Sequence, residues 1–266
     1  MSQVGFVGAG RMGAPMVRRL VEAGHEVRAL GRSVEKRRAV SELGAQPVTD
    51  LTDIGSDADV VIVCVFTDDQ VQQVCLESVL LPTMRQGASL VIHTTGSPRT
   101  AETIAAEAAA RDIAVVDAPV SGGPHDIAAG RVTLFVGGSD EAVDRVRPVL
   151  ASYGDPILHV GPIGAGQGIK LVNNTLFAAQ IGLLHEAVRL GDRLGIDEGQ
   201  LLDAIGHGSA ASRVASIVGA RGSVDAFIEM VGEFVGKDVA VVRKTVAELG
   251  SDLGLLDDAI NAGIQP

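Results

Sequence analysis

Tryptophan is absent from these 266 residues, tyrosine occurs once, and aromatics make up 3% of the chain. A core is still available, because 46% of the residues are hydrophobic, but it must be built from Ala, Val, Leu and Ile. Cysteine is almost as scarce: Cys64 and Cys75 fall in neither a metal-ligand spacing nor a CxxC motif. That usage excludes a disulfide framework and reads as two reduced thiols. Six scattered histidines give no metal spacing either, so no metal is expected. No apolar stretch approaches the roughly 20 residues a membrane-spanning helix needs. The chain opens directly on a strand-like run that fits no signal peptide, which makes the cytoplasm the expected location. Positive charge is in deficit, with 22 Lys and Arg against 33 Asp and Glu for a net charge of −11. Nucleic acid and membranes are therefore not expected partners. An anionic ligand must be met by a local basic cluster, and Arg32, Lys36, Arg37 and Arg38 supply one.

Short apolar runs bounded by turn residues predict strands at Val4–Val7, Glu26–Leu30, Val60–Phe66, Ser89–His93, Ala114–Asp117, Thr133–Val136 and Ile157–Val160. The unbroken β-branched run from Val60 is of the kind buried on both faces of a parallel sheet. Helical spacing fills the gaps at Ala14–Ala23, Ser33–Leu43, Asp69–Leu76, Arg99–Arg111 and Asp140–Tyr153. Strands alternating with helices predict a doubly wound α/β sheet. The pattern changes after Pro162. Gly168–Leu194 reads as one long helix despite Gly182 and Gly191, and helices are predicted at Glu198–Gly206, Val224–Val235 and Asp238–Leu249. The expected organisation is a dinucleotide-binding domain over residues 1–162 and an all-helical substrate and dimerisation domain over 163–266. The glycine-rich segment Gly161–Gly166 lies at the boundary, and the long helix links the two.

Gly8-Ala9-Gly10-Arg11-Met12-Gly13 matches GxGxxG with a strand before it, a helix after it and a second strand within 30 residues. The first glycine permits the tight turn, the second lets the backbone approach a pyrophosphate, and the third lets the helix pack on the strand. This is the fingerprint of a Rossmann-type dinucleotide site. NAD-binding units usually carry an acid at the end of the second strand for the ribose hydroxyls. Here Leu30-Gly31-Arg32-Ser33 stands instead. Arg32 can grip a 2′-phosphate, Ser33 can add a hydrogen bond, and Lys36 or Arg37 can add charge. NADP(H) is therefore favoured, with NAD(H) as the alternative.

Ser121-Gly122-Gly123, after the strand ending at Asp117, can aim a hydroxyl and backbone N–H groups at one carboxylate or phosphate. Lys170 and Asn174, four residues apart on a predicted helix, share a face. The lysine suits proton transfer and the amide suits holding an oxygen.

Four segments together resemble the β-hydroxyacid dehydrogenase family, which includes 3-hydroxyisobutyrate dehydrogenases and glyoxylate/succinic semialdehyde reductases. They are Gly5 to Met16, Asp117 to Gly138 with its Pro-Val-Ser-Gly-Gly, Gly164-Ala165-Gly166 through Lys170 to Asn174, and Lys237-Asp238. The resemblance implies that Lys170 is the catalytic lysine and Asn174 the substrate-orienting asparagine, with Ser121, Gly122 and Gly123 as the substrate-carboxylate loop. It further implies that Val65, Phe66 and Thr95 lie along the cofactor, that Lys237 reaches it, and that an arginine at Arg32 goes with NADP(H). The implied activity is reversible hydride transfer to or from a small hydroxy acid or its aldehyde or keto partner, in a homodimer or tetramer. The sequence departs from the family pattern at His125-Asp126-Ile127, where a glycine-alanine pair is usual, at Arg131-Val132, and in a shorter C-terminal part. An imine-reductase-like enzyme and a non-catalytic nucleotide sensor or scaffold share the fold. Lys170 weighs against the first, and Lys170 with Asn174 against the second.

Overall fold

The computed structural model describes residues 1–264. Nine strands form one sheet: β1 (Gln3–Val7), β2 (Glu26–Leu30), β3 (Gln46–Val48), β4 (Val60–Val63), β5 (Ser89–Ile92), β6 (Ala114–Asp117), β7 (Val120–Ser121), β8 (Val132–Gly137) and β9 (Gly154–Gly161). Between them run α1 (Gly13–Glu22), α2 (Val34–Glu42), α3 (Leu51–Gly55), α4 (Asp68–Cys75), α5 (Leu80–Thr83), α6 (Pro98–Ala109), α7 (Pro124–Ala128) and α8 (Asp140–Leu150). The first six strands are parallel in the order β3-β2-β1-β4-β5-β6, the arrangement of a Rossmann-type sheet. β8 departs from this pattern, running antiparallel to β6 and β7, with β9 parallel to it.

Alternation along the strands explains why both faces are covered. In β4, Val60 and Ile62 enter the core that also holds Phe6, Met16 and Leu20, while Val61 and Val63 enter the opposite core with Leu80, Leu90 and Ile104. An apolar side chain at every position of a strand has no solvent face to offer, so helices must close both sides. Each such side chain contributes about 1.5–3 kcal/mol when fully buried.

After Gly161 the described residues contain no strand. The helices there are α9 (Ala165–Arg193), α10 (Glu198–His207), α11 (Arg213–Gly219), α12 (Val224–Glu248) and α13 (Leu255–Asn261). The chain separates into two compact units, Met1–Lys170 and Leu171–Pro266, divided within α9. The second unit has its own core around Ile181, Val218, Phe227 and Ile260.

Several sequence expectations shift. β4 stops at Val63 rather than Phe66, because the Val65 backbone turns away to bond the Thr94 hydroxyl. The two helices predicted at Val224–Val235 and Asp238–Leu249 are one, α12. Val235, Val239 and Val242 are all buried, so the apolar stripe runs on past Gly236 and no break is needed. His125 and Asp126, where the sequence departs from the family pattern, lie in α7, which Pro124 opens and Asp126 caps. The glycine inside α9 has a packing reason: a Cβ at Gly182 would run into the Ala259 carbonyl of α13.

Candidate active site

The glycine loop follows β1 directly. Gly8 has φ +101°, and a Cβ there would strike the Cys64 carbonyl oxygen. A Cβ at Gly13 would strike the carbonyl of Gly8. Gly10 differs: an added Cβ meets no protein atom within 4 Å. Two glycines thus serve internal packing and the third faces open space. α1 begins at Gly13 with no side-chain cap and no acid in its first turn. Among the described residues no side chain caps the helix start, where the Ala14 N–H is bonded to the Gly10 carbonyl and Pro15 has no N–H, a setting that suits an anionic pyrophosphate at the loop. The loop residues fit a dinucleotide.

Arg32 stands exposed at the end of β2, and Lys36 lies on the first turn of α2. Neither side chain has an acidic or hydrogen-bonding partner among the described residues, whereas Arg38 pairs with Glu42 at 3.0 Å and Arg37 bonds the Gly31 carbonyl at 3.3 Å. The Ser33 hydroxyl is occupied. It accepts from the Lys36 backbone at 3.2 Å as the N-cap of α2, and its bond to Glu35 is the largest cause holding that carboxyl below its ordinary range.

The C-terminal ends of β4, β5 and β6 are tied together by side chains. The Thr94 hydroxyl accepts from the Val65 N–H and donates to the Val65 carbonyl, both at 3.0 Å. Phe66 is exposed beyond it, and its N–H donates to Gln70 Oε1 at 2.9 Å. Asp117, fully buried at the end of β6, accepts the N–H groups of Gly164 and Gln167, each at 2.7 Å. Burial pushes the Asp117 carboxyl up, and these two bonds pull it down. Gln167 is 1% exposed; its Oε1 accepts from the Gly96 N–H at 2.9 Å and its Nε2 donates to the Thr94 carbonyl at 2.8 Å. Lys170 follows one turn later on α9 and is 9% exposed. Thr95, between the two clamped positions, is buried.

In the loop Ser121-Gly122-Gly123, Ser121 and Gly123 are half-buried and Gly122 is exposed. The Gly123 N–H is already used, donating to Asp126 Oδ2 at 2.8 Å. His125 Nε2 lies 3.3 Å from the same oxygen, with its side chain 83% exposed.

In the second unit, the Asn174 side-chain amide donates to Asp238 Oδ2. Its Oδ1 accepts from Asn173 Nδ2 at 3.0 Å, and Lys237 Nζ pairs with Asp238 Oδ1 at 2.7 Å. Asn174 and Lys237 therefore meet through Asp238, an acid to which the sequence reading gave no role. Thr94, Asp117 and Gln167 were missed as well. Each acts through partners far along the chain; Asp117 and Gln167 fall inside the family segments, and Thr94 lies outside all four. No group of three or more His, Cys, Asp or Glu suited to a metal occurs among the described residues, and no described helix is long and apolar enough to cross a membrane.

A family model for the NAD binding domain of 6-phosphogluconate dehydrogenase matches residues 3–161. A second, described as NAD-binding of NADP-dependent 3-hydroxyisobutyrate dehydrogenase, matches residues 164–261. An uncharacterized oxidoreductase of Shewanella frigidimarina is 36% identical over 214 residues, covering 80% of this chain and 74% of its own. An NAD-dependent L-serine dehydrogenase of Pseudomonas aeruginosa is 34% identical over 213 residues, covering 80% of this chain and 72% of its own. A solved structure of Mycobacterium tuberculosis 3-hydroxyisobutyrate dehydrogenase with L-serine superposes with a TM-score of 0.89 at 28% identity, over 98% of this chain and 92% of that one. With the glycine loop and the Rossmann strand order, these matches establish that the chain belongs to the β-hydroxyacid dehydrogenase family, as an NAD(P)-dependent, 3-hydroxyisobutyrate dehydrogenase-like oxidoreductase acting on CH–OH groups.

Proposed function

We propose that this oxidoreductase prefers NADP(H) to NAD(H) and interconverts a small β-hydroxy acid with its semialdehyde or keto acid, Lys170 acting as general acid/base. The observation that carries the reading is the setting of Lys170. It is almost wholly buried on α9, whose first turn is fixed by Asp117 to the C-terminal end of β6. Ligands of open α/β sheets bind at that edge.

When bound, the nicotinamide supplies or accepts the hydride at the substrate carbon. The chain does the rest. The loop Gly8–Gly13 offers backbone N–H groups to the pyrophosphate. Arg32 and Lys36, cations without an acidic or hydrogen-bonding partner among the described residues, would meet a 2′-phosphate, and Ser33 holds the start of α2 beside them. Val65, Phe66 and Thr95 would hold the nicotinamide end of the cofactor, and Lys237 would add a cationic group to the cofactor site. Ser121, Gly122 and Gly123 hold the substrate carboxylate. In reduction, Lys170 Nζ gives a proton to the carbonyl oxygen; in oxidation it takes the proton back. Asn174 steadies that oxygen with the amide proton not committed to Asp238. Residues 1–162 serve as the dinucleotide-binding domain and 163–266 as the substrate and dimerisation domain. Exposed Val172, Leu176, Leu183 and Leu190 along α9 favour a homodimer over a lone subunit.

L-Serine and 3-hydroxyisobutyrate, both 3-hydroxy acids named with the relatives, head the panel to be tested, with reduction of C2–C4 aldehydes and keto acids followed by NADPH oxidation. Lys170→Ala is expected to lose at least ~100-fold in turnover, the scale of a lost general acid, while NADPH still binds. Wild-type turnover in that variant overturns the role of Lys170.

A further inference from the structure

The Gln167 side chain sits where four separate pieces of the first unit meet. Its backbone N–H is held by Asp117 at the end of β6. Its carboxamide forks, accepting from the Gly96 N–H and donating to the Thr94 carbonyl in the loop after β5. Thr94 in turn holds the Val65 backbone after β4. Lys170 lies three residues further along α9, on the same face as Gln167. A buried loop without regular structure needs its N–H and C=O groups answered. Here one side chain answers both a donor and an acceptor. The amide orientation follows from the partners, since a carbonyl faces one end and an N–H the other. No other side chain of that length offers one acceptor and one donor: Glu ionises, Met has neither, and Lys and Arg only donate.

We propose that Gln167 is a positioning residue for the transfer step: its two-bond fork fixes the Thr94–Gly96 loop against the turn of α9 that carries Lys170. The inference rests on Lys170 as the acid/base. It assigns to Gln167 no contact with substrate or cofactor. The fork keeps the proton-transfer lysine in register with the strand ends that form the nicotinamide side of the site, where misplacement by about 1 Å can cost on the order of 100-fold.

Gln167→Glu tests it. The carboxyl can still accept from the Gly96 N–H, but it answers the Thr94 carbonyl only when protonated. Charged groups on the elements packed around it are Asp117 on β6, which holds the Gln167 N–H, Asp68 on α4 beside Gly96, Glu102 on α6 beside Gly164, and Lys170 on α9. Three of the four are acids, so the new carboxyl is surrounded mainly by like charge. The ratio of variant to wild-type kcat is expected to rise at least about tenfold as pH falls from about 8 to about 5.5. The KM for NADPH should stay within about twofold at either pH. Wild type is measured alongside at each pH, so that the ratio removes the pH dependence the two enzymes share. A ratio that stays flat across the range overturns the proposal. So does a kcat per folded molecule equal to wild type with only the thermal midpoint lowered, because that is a purely structural role. If Gln167→Glu does not fold, Gln167→Met decides: it fills the same space without either bond. It should lose at least about tenfold in kcat with unchanged NADPH affinity, and an unchanged kcat overturns the proposal. Lys170→Ala separates the two readings. If it keeps turnover, the acid/base assignment has failed. If it is inactive while the Gln167→Glu ratio stays flat, the fork alone has failed.

Discussion

His93 Nε2 lies 2.8 Å from the Tyr153 hydroxyl, and both side chains are buried. The other ring nitrogen, Nδ1, sits 2.6 Å from the Ala118 carbonyl, which can only accept. Nδ1 must therefore carry the proton, leaving Nε2 as the acceptor from Tyr153. Burial pushes the histidine pKa down to about 4, which keeps the ring neutral near pH 7. It locks the end of β5 to the loop after β6 and the turn after α8.

The pH dependence of stability follows. The unfolded chain protonates this histidine near its ordinary 6.5, while the fold resists until about 4. Its contribution is thus complete above about pH 6.5 and is lost as pH falls toward 4, up to about 3 kcal/mol. Urea midpoints measured across that window should fall on acidification. The His93 ring resonances should hold their neutral positions through the ordinary histidine range. A resonance that titrates there removes the explanation.

Cofactor choice is expected to rest on Arg32. Its guanidinium has no partner among the described residues, so Arg32→Ala should leave the fold unchanged. A charge-assisted bond to a 2′-phosphate contributes roughly 1.5–3 kcal/mol. NADPH binding should therefore weaken by about tenfold or more while NADH binding moves little. Equal effects on both cofactors in titration calorimetry would exclude Arg32 as the selector. Ser33→Ala, by contrast, should cost about 1 kcal/mol of stability through the lost cap and leave the preference alone, because that hydroxyl is already occupied.

Asp126 puts a negative charge on the loop proposed to hold the substrate carboxylate, bonded to the Gly123 N–H at 2.8 Å. Asp126→Asn keeps an acceptor for that N–H and removes the charge. Like charges about 4 Å apart repel by about 1 kcal/mol in a watery setting. The KM of carboxylate substrates should fall about fivefold, with kcat and NADPH affinity unchanged. A KM that rises instead means Asp126 assists binding, for example by meeting a cationic group on the substrate.

What could be read in advance divides by range of interaction. β2 and β6 have the predicted limits because each is a short apolar run with a turn on both sides. The glycine loop was legible because strand, loop and helix are contiguous. α11 and α13, at seven residues each, are too short for helical periodicity to stand out. The Gln167 fork and the Asn174–Asp238 bond join residues 71 and 64 apart, and nothing local at either end announces the other. Asp126 was seen only as a departure from the family pattern. Its use as a cap depends on Pro124 starting a helix there.

Glycines in helices sharpen the same point, because identical substitutions should have opposite signs. Taken by propensity alone, Gly→Ala inside a helix stabilises by about 1 kcal/mol. At Gly232 in α12 an added Cβ meets nothing within 4 Å, so Gly232→Ala should realise most of that gain. At Gly182 in α9 the Cβ would run into the Ala259 carbonyl, and the Gly263 backbone N is 3.2 Å away. Backbone on both sides cannot rotate out of the way, and overpacking of this kind costs about 1–3 kcal/mol. The clash exceeds the propensity gain, so Gly182→Ala should lower the thermal midpoint while Gly232→Ala raises it. Denaturation of the two variants side by side decides the matter. A stabilised Gly182→Ala would mean that α9 and α13 do not approach this closely.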